Sequence, residues 1–92
     1  MQIFGLRLKE IREERGLSVS SVANILNIST KTLNNWEQNI DEPKMLQLFL
    51  LTVLLNISAD YLIGISDNKS QIYSKNQLNS LISVYNKSKK YE

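Results

Sequence analysis

The sequence is 92 residues long, with no cysteine, no histidine, a formal net charge of +2 at pH 7 and a pI near 9.0. That length supports one modest hydrophobic core and no second one, and the missing residue types remove disulfides, the usual zinc ligands and the commonest general base. The small basic excess suits a nucleic-acid partner without selecting one.

Phe4, Leu8 and Ile11 recur at helical spacing among charged residues, so Ile3 to Arg15 is predicted as an amphipathic first helix. Gly16 can take the left-handed conformation that closes it, with Leu17 folding back as the apolar contact. Ser18 is a good N-cap for a second helix through Leu26, and Ser29 for a third through Gln38. Between them Asn27 can stop the chain in the left-handed region while Ile28 turns inward. The tetrapeptide Leu26-Asn27-Ile28-Ser29 has a counterpart in Leu55-Asn56-Ile57-Ser58. Both are read as one device: a helix stop, an apolar anchor and a new N-cap.

Asn39 to Lys44 is predicted as a loop, with Pro43 suited to the first turn of a fourth helix that runs to Leu55. Ser58 then caps a short fifth helix, Ala59 to Ile63, closed by Gly64. Residues 65–73 are polar and linker-like. Ser74 and Gln77 have capping-box spacing, and Leu78, Leu81, Ile82 and Tyr85 form an apolar stripe, so a sixth helix is predicted from Lys75 to about Lys89. The chain is therefore expected to be all-α, divided into 1–64, a linker at 65–73 and a C-terminal helix within 74–92. No basic-then-apolar leader pattern begins the sequence, and the richest apolar stretch, 45–55, is about half the roughly 20 residues that a bilayer crossing needs. A cytoplasmic protein with no membrane partner is the expectation.

Two helices joined by a tight turn can hold the second in a major groove only if their facing sides are apolar and one position is small. Val22, Leu26, Ile28, Leu33 and Trp36 fall on those sides, and Ala23 supplies the small residue. The outward positions of the third helix are Thr30, Lys31, Asn34, Asn35 and Gln38. Asn and Gln can pair bidentately with adenine, Lys with guanine, and a Thr methyl can touch a thymine methyl.

Phe4 to Gly64 resembles the phage repressor and Cro-type helix-turn-helix family, also called the xenobiotic-response-element family, over the whole of its five-helix, lambda-repressor-like domain. The resemblance rests on Arg-Glu-Glu-Arg-Gly-Leu-Ser at 12–18, Val-Ala at 22–23, Ile-Ser at 28–29, Trp-Glu at 36–37, Pro43, and Ile-Ser-Ala-Asp-Tyr-Leu-Ile-Gly at 57–64. It implies base reading by Thr30, Lys31, Thr32 and Asn35. It implies phosphate contacts near Val19, Asn34, Gln38, Asn39 and Lys44, with Val19 contributing backbone amides where many relatives carry glutamine. Arg12 and Glu37 fall where relatives often form a buried structural ion pair. Asp41 and Glu42 stand where relatives often have Lys or Arg, which makes the loop less attractive to phosphate.

The fourth helix carries an expected core stripe of Met45, Leu48, Thr52 and Leu55 and a second stripe of Leu46, Leu50 and Val53. A helix apolar nearly all round must be covered on both sides. The cover is the sixth helix of the same chain, through Leu78, Leu81, Ile82 and Tyr85, a homodimer interface built from helices four, five and six of two chains, or both together. The expected function is a sequence-specific, double-stranded-DNA-binding transcriptional regulator, a repressor that works by occupying promoter DNA. The alternative is a protein-interaction module or antitoxin with weak or no DNA binding. Catalysis, a cofactor and a metal are not expected, because no nucleophile, metal or phosphate-loop constellation appears.

Overall fold

The computed structural model describes residues 2–69 and, beyond them, Asn76, Gln77, Asn79, Ser80 and Ser83. Five helices run through the main described segment: α1 (Gln2–Glu14), α2 (Val19–Leu26), α3 (Thr30–Glu37), α4 (Met45–Leu55) and α5 (Ala59–Ile63). The five further residues are helical and exposed. Leu78, Leu81, Ile82 and Tyr85 lie outside the described residues, as does most of the predicted sixth helix.

Local chemistry accounts for the boundaries. Ser18, Ser29 and Ser58 are each extended N-caps, and each hydroxyl accepts from a backbone N–H three residues on, those of Ser21, Thr32 and Tyr61. Asn27 and Asn56 take the left-handed conformation at φ 58° and 51°. The next amide then donates back into the helix, Ile28 to the Ala23 carbonyl at 2.9 Å and Ile57 to Thr52 at 3.1 Å. The repeated tetrapeptide is thus the same stop and restart used twice. Gly16 closes α1 at φ 71°, with Leu17 N–H donating to the Arg12 carbonyl.

Pro43 lies one residue before the cap rather than in the first turn of α4. Lys44 occupies the N-cap, and its N–H donates to the Gln47 side chain at 2.8 Å. The proline ring sets the approach to the helix and occupies no helical position.

One core joins all five helices: Phe4, Leu8 and Ile11 from α1, Val22 and Leu26 from α2, Leu33 and Trp36 from α3, Leu51 and Leu55 from α4, Ile57, and Tyr61 and Leu62 from α5. α1 packs on α3 and α5, α2 packs on α3, and α4 packs on α5. Gly5 permits the first contact. A Cβ there would sit 2.8 Å from the Trp36 carbonyl oxygen and closer still to that of Glu37, so the backbone of α1 touches the end of α3 directly.

The stripes of α4 divide differently from the sequence expectation. Met45 is 88% exposed and contributes nothing to the core, whereas Leu51 is fully buried at the centre of the inward face. Leu50 packs against the core and Val53 is buried, so of the second stripe only Leu46 remains open. Burial along α4 begins only after its first turn and a half, with Leu51, Thr52, Val53 and Leu55 buried and Met45, Leu46 and Phe49 exposed.

Candidate nucleic-acid interface

α3 is short, and its orientation depends on what holds its inner face. Leu33 and Trp36 are buried, which fixes one side. Glu37, at its last turn, meets Arg12 of α1 in a two-pronged ion pair, Nε to Oε2 at 2.6 Å and a terminal guanidinium nitrogen to Oε1 at 3.2 Å. The other terminal nitrogen donates to the Leu17 carbonyl at 2.9 Å. Both side chains are about nine-tenths buried. The hydrogen bond to Glu37 raises the Arg12 pKa above its ordinary value, against a smaller lowering by burial. The guanidinium therefore stays charged, and its fork geometry sets the angle between α1 and α3.

With Leu33, Trp36 and Glu37 turned inward, the 100° step of a helix leaves Thr30, Asn34, Gln38, Lys31 and Asn35 on one continuous outer arc. Thr30, Lys31, Asn34 and Gln38 are exposed and Asn35 is half-buried. Thr32 lies at the margin of the arc, half-buried, with its hydroxyl 2.9 Å from that of Ser29. Lys44 is exposed on the loop that follows.

Val19 begins α2 with its side chain half-buried against the core, so only its backbone faces the N-terminal end of the helix. Helix geometry gives the amides of Val19 and Ser20 no intrahelical acceptor, and the dipole adds partial positive charge there. Asn39 is left-handed at φ 57°, and its side-chain oxygen accepts the Gly5 N–H of α1 at 3.0 Å. That oxygen ties the end of α3 to the start of α1.

Several contacts have no trace in sequence periodicity. Arg7 lies over the Tyr61 ring, 4.1 Å from its centroid, and donates to the carbonyls of Tyr61 and Ser66 and to Asp67. In the fold it is a strap on the segment leaving α5. Arg15 donates to the Leu55 carbonyl at the end of α4. A glycine inside an amphipathic helix is the one available signal for the α1–α3 contact, because Gly5 would otherwise be a costly choice there.

Charge is unevenly divided. Residues 1–69 hold seven of the eleven basic residues and eight of the nine acidic ones. With Arg7, Arg12 and Arg15 committed internally, Lys31 and Lys44 are the cations presented by α3 and its following loop. Among the described residues no cluster of acidic side chains could hold a metal, and no helix is long and apolar enough to cross a membrane.

Two helices joined by a tight left-handed turn, the second anchored by its inner face and polar along its outer arc, define a helix-turn-helix. The Helix-turn-helix family model matches residues 8–62. The chain is 35% identical over 82 residues to the HTH-type transcriptional regulator ImmR of Bacillus subtilis (strain 168), an alignment covering 89% of this chain and 61% of that one. It is 47% identical over 38 residues to a protein of Pyrococcus abyssi (strain GE5 / Orsay) named as a candidate HTH-type transcriptional regulatory protein; that match covers 41% of this chain and 12% of that one. The chain thus spans less than two thirds of the length of either relative. No solved structure matches it. The chain belongs to the phage repressor/Cro-type helix-turn-helix family of DNA-binding transcriptional regulators.

Proposed function

We infer that this protein is a sequence-specific, double-stranded-DNA-binding transcriptional regulator that acts as a repressor by occupying promoter DNA in the cytoplasm. The observation that carries the reading is the outer arc of α3, an unbroken run of hydrogen-bonding side chains on a helix locked by Trp36 and the Arg12–Glu37 pair. Thr30, Lys31 and Asn35 read base edges, with Thr32 at the margin, because these groups match the donors, acceptors and methyl groups of the major groove. Asn34, Gln38 and Lys44 flank the arc and reach phosphate, joined by the backbone amides at Val19. Asn39 contributes chiefly by fixing the loop through Gly5. The protein works as a homodimer, since one recognition helix covers too few base pairs for useful specificity. The reading needs no cofactor, metal or catalytic group. Selection of bound sequences from random duplexes tests it: a recovered two-fold-related motif supports the reading, and recovery of no preferred sequence at low salt overturns it.

A second reading has its own observation. Asp41 and Glu42 make the loop acidic, and Ile40, Met45, Leu46 and Phe49 are exposed beside it. A protein-interaction module or antitoxin of the same fold would use that apolar, acidic-edged surface and bind DNA weakly. The duplex selection separates the two, because only the first reading yields an enriched motif.

A further inference from the structure

α4 is covered on one side along only part of its length. Met45, Phe49 and Val53 follow one another at four-residue steps, with Leu46 alongside, so all four share a face. Val53 is 3% exposed, whereas Met45 is 88%, Leu46 58% and Phe49 43% exposed. The face is closed at its far end and open over its first turn and a half. Ile40, 66% exposed, lies just before it in the chain, and Asp41 and Glu42 are exposed between them. An apolar strip edged by two carboxylates is a poor surface for phosphate and a good one for an apolar, basic segment.

The chain itself contains such a segment. Residues 70–92 hold four of the eleven basic residues and one of the nine acidic ones, a clear basic excess, whereas residues 1–69 are nearly balanced with seven basic and eight acidic. Their sequence spacing predicts an apolar stripe of Leu78, Leu81, Ile82 and Tyr85, followed by Lys87, Lys89 and Lys90. We propose that the open face of α4, formed by Met45, Leu46 and Phe49 with Asp41 and Glu42 at its edge, receives residues 78–90 of a second copy of this chain. The inference rests on the homodimer reading and deepens it by naming the docking face and its occupant. The homodimer reading requires a surface shared between two chains, and this face with this segment supplies one. In a two-fold pair each copy supplies one face and one segment, so the exchange is reciprocal and closed.

The absence of cysteine makes a direct test available. Full-length Met45→Cys and Tyr85→Cys proteins, carrying different tags, are mixed under mild oxidation. The expected product is a covalent pair containing one of each, formed more readily than either self-pair. In parallel, Leu46→Glu with Phe49→Glu, both at exposed sites, should weaken self-association by about tenfold or more in sedimentation. Asp41→Lys with Glu42→Lys should also weaken it, and Lys87→Glu, Lys89→Glu and Lys90→Glu introduced together should restore it. Four outcomes overturn the inference. A Met45→Cys/Tyr85→Cys double variant that closes its disulfide within one chain assigns the segment to its own face. A parent dimer unaffected by the Leu46 and Phe49 changes, with duplex selection still giving a two-fold motif, leaves the DNA reading standing and removes only this interface. A monomeric parent at tens of micromolar removes the dimer as well. Capture of a different protein on this face, lost with the Leu46 and Phe49 changes while the parent stays monomeric, assigns it to a foreign partner.

Discussion

Arg12 and Glu37 are both needed where they stand because each is desolvated and each completes the other's hydrogen bonding. Replacing one partner leaves the other as an uncompensated charge, and Leu17 loses the donor to its carbonyl as well. Arg12→Met and Glu37→Ala should each lower unfolding stability by about 3 to 5 kcal/mol, measured by urea denaturation. A loss below about 1 kcal/mol, the scale of an exposed pair, would contradict the placement. Asn39 allows a finer test, since it combines a left-handed backbone with a side-chain acceptor for Gly5. Asn39→Gly keeps the backbone conformation and loses the side-chain acceptor for Gly5, at about 1 kcal/mol. Asn39→Ala loses both and should cost about 1 kcal/mol more than the glycine variant. Equal stabilities for the two variants would show that the left-handed conformation carries no strain there.

At the scale of elements, the proposed function rests on α3 as the recognition helix, with α1 holding its orientation through the Arg12–Glu37 pair. Lys31→Ala and Asn35→Ala should each change the sequences recovered from random duplexes, since a lost base contact costs roughly 1 to 3 kcal/mol of discrimination. An unchanged motif for both would place base reading elsewhere. Arg7→Ala supplies the contrast. Its guanidinium is held by Tyr61, Ser66 and Asp67, so the variant should leave the salt dependence of binding unchanged, while Lys44→Ala should reduce the slope by about 1. The elements themselves were legible because local chemistry wrote them: the serine caps, the two Asn-Ile stops and the 3.6-residue periodicity all act within a few residues. The inner face of α3 was legible for the same reason. What could not be read depends on distance along the chain. Arg7 finds Asp67 sixty positions away, Asn39 finds Gly5 across thirty-four, and no periodicity encodes such pairs. The burial of Met45 and Leu51 in α4 departs from the sequence expectation for a related reason. In the run Met-Leu-Gln-Leu-Phe-Leu-Leu-Thr-Val-Leu-Leu nearly every position is apolar, so no stripe stands out. Only the packing of the other helices around α4 decides that Leu51 is buried and Met45 is not.

For the whole molecule, the number and spacing of recognition helices matter more than any single contact. The described domain presents few free cations beside α3, and its loop carries Asp41 and Glu42, so one copy gains little from phosphate. On the homodimer reading, affinity comes from two copies acting together. A two-fold pair that reads adjacent major grooves on one face of the duplex sets its recognition helices about 34 to 36 Å apart, which places half-site centres about 10 base pairs apart. The duplex is itself the ruler. Inserting about 5 base pairs between the half-sites turns one of them to the opposite face, and the dimer can then engage only one. Inserting about 10 restores the face but lengthens the span beyond what a compact pair reaches without a flexible joint. On the selected site, gel-shift titrations should therefore show strong loss of binding for the half-turn insertion and incomplete recovery for the full turn. Full recovery with the longer spacer would mean that the two domains are joined loosely. Equal binding to all three spacings would mean that each copy binds alone, and the homodimer reading would fall with it.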